Sequence, residues 1–145
     1  MNISVRFTNM LSIEELQKKV DELIFKAGLP RLSVNLCTAP IGDGTPYISF
    51  ENGKYNYICS ERGYEFSRKV TDSTDELLYW IMSELAYKIA FQYELENRIG
   101  GRDGRRIAFP NYIELMTKMN SSWKSKAEDE IEKTLAASPY DDRLY

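Results

Sequence analysis

The sequence predicts an α+β fold: an antiparallel β-meander packed on a buried central helix, with an N-terminal helix and two C-terminal helices. Three observations carry that prediction. Asn52-Gly53 separates the strand-like runs Tyr47–Glu51 and Lys54–Ser60, and it is the dipeptide a type I′ hairpin turn needs, because both central residues take positive φ. The run from Leu77 to Tyr93 is apolar around most of its circumference, which marks a helix buried on nearly all sides. Beyond the glycine-rich stretch Gly100–Gly104, two further segments repeat apolar residues at helical spacing.

Taken in order, Ile3, Val5 and Phe7 alternate with polar residues and predict a short opening strand. Ser12 and Glu15 form the Ser-x-x-Glu pattern of a capping box, and Ile13, Leu16, Val20, Leu23, Ile24 and Ala27 follow on one helical face. Gly28 ends that helix and Pro30 prevents its return. Leu32–Cys37 is a strand candidate, and the glycines and prolines between Ala39 and Pro46 predict a loop.

A two-residue turn at Asn52-Gly53 places Glu51 opposite Lys54, Phe50 opposite Tyr55 and Ile48 opposite Tyr57. Arg62-Gly63 then reverses the chain into a third strand, Tyr64 to Val70. The cluster Thr71-Asp-Ser-Thr-Asp-Glu76 suits a helix start, with Asp72 or Ser73 as the cap and the acids on the positive end of the dipole. The central helix is expected to have the sheet on one side and the C-terminal helices on the other. Pro110 marks the beginning of the third helix, and the fourth runs from about Ser122 to Ala137, buries Trp123, Ala127, Ile131 and Leu135, and stops at Pro139.

The chain has 145 residues and no visible internal boundary, so one domain spanning 1–145 is expected. No apolar run approaches the roughly 20 residues that cross a bilayer, and the first residues lack the pattern of a signal peptide. A cytoplasmic protein is expected. The charge of −3, from 22 acidic and 19 basic residues, disfavours nucleic acid and anionic membranes as partners and suits a basic protein. Histidine is absent, which removes the commonest general base and the nitrogen ligand of most zinc sites. Cys37 and Cys59 are too few for a disulfide framework and are expected to be buried thiols.

Chemistry has few places left. Asp72, Asp75 and Glu76 could collect magnesium and support a carboxylate- or magnesium-dependent hydrolase, although a helix start accounts for all of them. The loop Arg98-Ile-Gly-Gly-Arg-Asp-Gly-Arg-Arg106 could cradle an anion or nucleotide, but it lacks the Gly-Lys-Ser/Thr ending of a P-loop and follows no strand. Folding of its arginines back onto Glu94 and Glu96 is the plainer expectation. The ten tyrosines suit either the rim of a core or a protein interface.

Several segments in fixed order carry a family likeness: Ser60-Glu-Arg-Gly63, Thr71-Asp-Ser-Thr-Asp-Glu-Leu-Leu-Tyr-Trp80, Tyr93-Glu-Leu-Glu-Asn-Arg98, Asp103-Gly-Arg-Arg106, Phe109, Glu114-Leu115, Trp123 and Pro139-Tyr-Asp-Asp142. In these the chain resembles the Immunity protein 63 family of bacterial polymorphic toxin systems; residues 1–45 carry no part of the likeness. The resemblance implies a small cytoplasmic protein that binds and blocks the C-terminal domain of a cognate toxin, with no catalytic residue, cofactor or metal. The candidate residues for that contact are Glu61, Arg62, Asp72, Asp75, Glu76, Tyr93, Glu94, Arg98, Arg102, Asp103, Arg105 and Arg106, which either pair within the fold or face the partner.

Overall fold

The computed structural model describes residues 10–29 and 31–144; the opening strand expected over residues 2–8 lies outside them. Among the described residues, a three-stranded antiparallel sheet and four α-helices make the predicted α+β fold. The chain divides into two compact units, one from the described residues of Met1–Glu22 and Pro30–Trp80, the other from those of Leu23–Leu29 and Ile81–Tyr145. None of the described helices is long and apolar enough to cross a membrane.

In the first unit, helix α1 (Ile13–Lys26) begins with a complete capping box. The Ser12 N–H donates to Glu15 Oε1 at 3.1 Å, and the Glu15 N–H donates to Ser12 Oγ at 3.2 Å. Leu16 and Val20 are fully buried from this helix. The segment predicted as a strand at Leu32–Cys37 is irregular instead. Gln17 supplies the reason: its side-chain amide donates to the Val34 carbonyl at 2.6 Å and accepts from the Leu36 N–H at 2.9 Å, standing in for a neighbouring strand. The two cysteines are half-buried, less enclosed than expected.

The sheet is a meander in the order β1 (Tyr47–Glu51), β2 (Lys54–Glu61), β3 (Tyr64–Thr71). Its first hairpin has the predicted register, Glu51 opposite Lys54, Phe50 opposite Tyr55 and Ile48 opposite Tyr57. Asn52 and Gly53 both take positive φ, as the turn demands. Arg62 and Gly63 do the same in the second turn, and a bulge between Cys59 and Ser60 shifts the β2–β3 register. Strand β2, in the middle, buries residues of both faces, whereas β3 leaves Tyr64, Phe66 and Val70 exposed.

Helix α2 (Thr74–Glu96) is capped by Ser73, whose Oγ accepts from the Glu76 N–H at 3.1 Å. Its first turns close the sheet-bearing unit, with Tyr57 stacked on Trp80 at 6.3 Å and the Lys69 ammonium 5.3 Å from the Trp80 ring.

In the second unit, the later turns of α2 pack on helix α3 (Arg105–Met119). Tyr87 stacks on Tyr112 at 4.2 Å, Phe91 meets Phe109 edge-on, and the Tyr112 hydroxyl joins Ser83 Oγ and Glu130. Helix α3 starts five residues before Pro110 rather than at it. Pro110 therefore lies inside the helix, where it has no N–H to bond the Arg106 carbonyl. Asn120 caps a 3-10 turn at Ser121–Trp123 that leads into α4 (Lys124–Ala137), which buries Ala127 and Ile131. The end of α1 also belongs to this unit. Gly28 takes a φ of 79°, the Leu29 N–H reaches the Ile24 carbonyl and the Gly28 N–H the Phe25 carbonyl, so the helix closes in a Schellman motif.

Candidate functional site

The candidate residues fall into three places. The arginine-rich loop is engaged by the chain itself. Arg98 forms a fork on Glu94, with Nε 2.9 Å from Oε1 and Nη2 3.0 Å from Oε2, and this guanidinium holds the Glu94 carboxyl below its usual range. That much follows the expected fold-back, but Arg105 and Arg106 turn elsewhere. Arg105 grips Asp103 and donates to the Ser138 and Pro139 carbonyls, each at 2.8 Å. Arg106 pairs with Asp142, and its guanidinium carbon lies 4.4 Å from the Tyr140 ring centre.

Asp103 is the hub of this clasp. Its carboxylate, 1% exposed, also accepts from the Arg105 and Asp141 N–H groups, while its own N–H donates to Asp142 Oδ1 at 2.7 Å. The Arg105 guanidinium holds the Asp103 carboxyl far below the ordinary range, outweighing the opposing effect of burial. Gly104 is required here by space rather than by φ: a Cβ would sit 2.5 Å from Glu94 Oε1. In this geometry the place of a bound phosphate is taken by carboxylates from within the chain. Arg102 lies exposed at the edge of the loop, and Tyr93 is 46% exposed on α2.

The second place is the β2–β3 turn, where Glu61 and Arg62 are exposed and shape the reversal. Nearby on β3, Arg68 forks onto Glu65 and bonds Asn56 Oδ1 at 2.9 Å.

The third place is the pole where the starts of α1 and α2 converge on one hydroxyl. Tyr55 is fully buried, and its hydroxyl lies 2.8 Å from the Leu11 N–H and 3.0 Å from Thr74 Oγ1. The first turn of α1 carries Glu14 and Glu15, that of α2 carries Asp75 and Glu76, and exposed Asp72 lies just ahead of the Ser73 cap. Ser12 holds the Glu15 carboxyl below its usual value through hydrogen bonds, with Lys18 assisting. Phe50 stands against Tyr55 on the same sheet face, edge-on at 5.3 Å, and is 43% exposed. Among the described residues no group of three or more His, Cys, Asp or Glu side chains is arranged to hold a metal ion.

Sequence reasoning located Asp72, Asp75 and Glu76 but missed Glu14, Glu15 and Phe50. The capping box named Glu15 only as a cap, and nothing in the local pattern ties the α1 start to Tyr55.

These features define a small α+β protein that presents an acidic, aromatic-bearing surface. The family model described as Immunity protein 63 matches residues 51–133, more than half of the chain, and the chain belongs to that family. Toxin neutralisation is the general role that membership points to. No curated protein and no solved structure matches the chain.

Proposed function

We propose that the chain is a cytoplasmic immunity protein that binds the domain of a cognate toxin and neutralises it by occlusion, without catalysis. Membership of the Immunity protein 63 family is the observation that carries this reading. The disposition of charge supports it. Glu94, Asp103 and their arginines serve the fold, while the carboxylates of the acidic pole serve two helix starts and remain at the surface. That arrangement suits recognition better than turnover.

The test is stoichiometry. Co-expression with the toxin encoded by the neighbouring gene should restore growth, and the two proteins should co-elute as a one-to-one complex. Titrating purified toxin with the chain should lower toxin activity linearly to an end point at one equivalent. Inactivation by a small fraction of an equivalent would instead identify an enzyme that destroys the toxin, and failure to rescue would remove the reading altogether.

A further inference from the structure

We propose that the chain pairs with a second copy of itself along the outer edge of β3, the two strands running antiparallel about a twofold axis at Arg68 and joining two three-stranded sheets into one. Neither this strand edge nor its test depends on the toxin-binding reading.

The backbone selects the kind of occupant. In a two-residue hairpin the residues flanking the turn exchange both hydrogen bonds, and bonded and non-bonded pairs then alternate along the ladder. Starting from Glu51 opposite Lys54, this alternation makes Tyr57–Lys69 and Tyr55–Thr71 bonded pairs and turns the N–H and C=O groups of Ile48, Arg68 and Val70 away from β2. Ile48 agrees, since its N–H donates to the Cys37 carbonyl at 2.9 Å on the far side of β1. The outward groups of Arg68 and Val70 have no partner among the described residues, and all of β3 except Ser67 and Thr71 is exposed. A row of unpaired backbone donors and acceptors takes an extended strand.

The side chains make that strand a second β3. Exposed edges are commonly guarded by free cations, proline or a bulge. Strand β3 contains no proline, its bulge lies opposite Ser60 near the turn, and its cations are engaged. Lys69 lies over Trp80, while Arg68 forks onto Glu65 and has Glu51 at 3.7 Å. With Lys69 on the Trp80 side of the sheet, Arg68 takes the other side, and so do the exposed Phe66 and Val70, two residues before and after it. The row Phe66-x-Arg68-x-Val70 therefore reads apolar, arginine, apolar in both directions. A twofold at Arg68 sets each Phe66 against the second copy's Val70 and lets the two Arg68 backbones exchange N–H and C=O groups. Each guanidinium arrives neutralised by its own carboxylates. Moving the axis to Lys69 would instead oppose two lysines. The twofold contact is closed, covering both edges at once.

Sedimentation of the purified full chain over a concentration series should show a monomer–dimer equilibrium, and hydrogen exchange at the Arg68 and Val70 amides should slow at least about tenfold as the dimer forms. Val70→Pro removes an outward N–H while leaving the β2 ladder its bonds. The loss occurs twice by symmetry, so dimerisation should weaken at least about tenfold. Should proline disturb the strand, Phe66→Lys carries the same test from an exposed side chain and should weaken the dimer as much with its circular dichroism unchanged. Leu95→Lys, at an apolar position on α2 as exposed as Phe66, should leave the equilibrium as it is. A chain that stays monomeric up to about 1 mM overturns the proposal, as does a dimer that the folded β3 variants leave intact or that Leu95→Lys dissociates equally well. Protection of the Arg68 and Val70 amides that appears only on adding toxin also overturns it, and gives the edge to the toxin.

Discussion

Replacing Asp103 by asparagine removes the charge at the centre of the clasp between the start of α3 and the C-terminal segment. The native carboxylate accepts from the Arg105 N–H at 3.0 Å, from Arg105 Nη2 at 2.8 Å and from the Asp141 N–H at 3.0 Å. Its side chain is 1% exposed and that of Arg105 18%, so solvent screens the attraction far less than in a surface pair. Asparagine keeps one acceptor oxygen and turns the other into a donor that faces donors. Removing one partner of a buried ion pair costs about 3–5 kcal/mol. The lower end, about 3 kcal/mol, applies because the guanidinium keeps the Ser138 and Pro139 carbonyls. With a urea slope of about 1–3 kcal/mol/M, the unfolding midpoint should fall by about 1–3 M. Urea unfolding followed by circular dichroism and tryptophan fluorescence measures it, Trp123 being buried in the same unit. Arg143→Ala is the control, since that side chain is 89% exposed in its pair with Asp141 and such pairs contribute less than about 1 kcal/mol. A loss below about 1 kcal/mol for Asp103→Asn, with the slope unchanged, would refute the claim that this carboxylate organises the clasp.

The same carboxylate has a pH signature. Its pKa is depressed in the folded chain by Arg105, so its stabilisation is complete above the unfolded value of about 3.9 and is lost as pH falls below it. The stability gap between the native chain and Asp103→Asn should therefore narrow as acid unfolding is approached, and a gap that stays constant from pH 7 to pH 3 counts against the assignment. Gly104→Ala should destabilise by about 1–3 kcal/mol in thermal unfolding, because its Cβ is driven into the Glu94 carboxylate that Arg98 holds in place. Ser73→Ala should cost about 1 kcal/mol through loss of the α2 cap; no change in melting temperature would mean that another group caps the helix. Gln17→Leu should leave α1 intact by circular dichroism yet speed hydrogen exchange at Leu36 by about two- to thirteenfold, since the hydrogen bond lost at its N–H is worth about 0.5–1.5 kcal/mol.

What was legible in the sequence was local. A two-residue turn leaves the hairpin one register, so Asn52-Gly53 alone sufficed to pair Phe50 with Tyr55 and Ile48 with Tyr57. The capping box at Ser12 was equally local and equally readable, and the α2 cap was narrowed to Asp72 or Ser73, of which the structure uses Ser73. Misreadings arose where a distant group decides the outcome. Leu32–Cys37 has the composition of a strand, but Gln17 offers it only one amide's worth of pairing, too little to propagate a ladder. Pro110 looked like a helix start because the true one depends on Asp103, whose hold on Arg105 and Asp141 joins segments far apart in sequence. The acidic pole follows the same rule. Asp72, Asp75 and Glu76 announced a helix start, and Ser12 with Glu15 announced another, but neither pattern says that both lie beside the Tyr55 hydroxyl. Leaving a buried tyrosine hydroxyl unsatisfied costs about 1–3 kcal/mol, and Tyr55 avoids that cost by bonding the starts of two helices. What draws the two helix starts together is therefore a core contact, and it has no periodicity for a sequence to display.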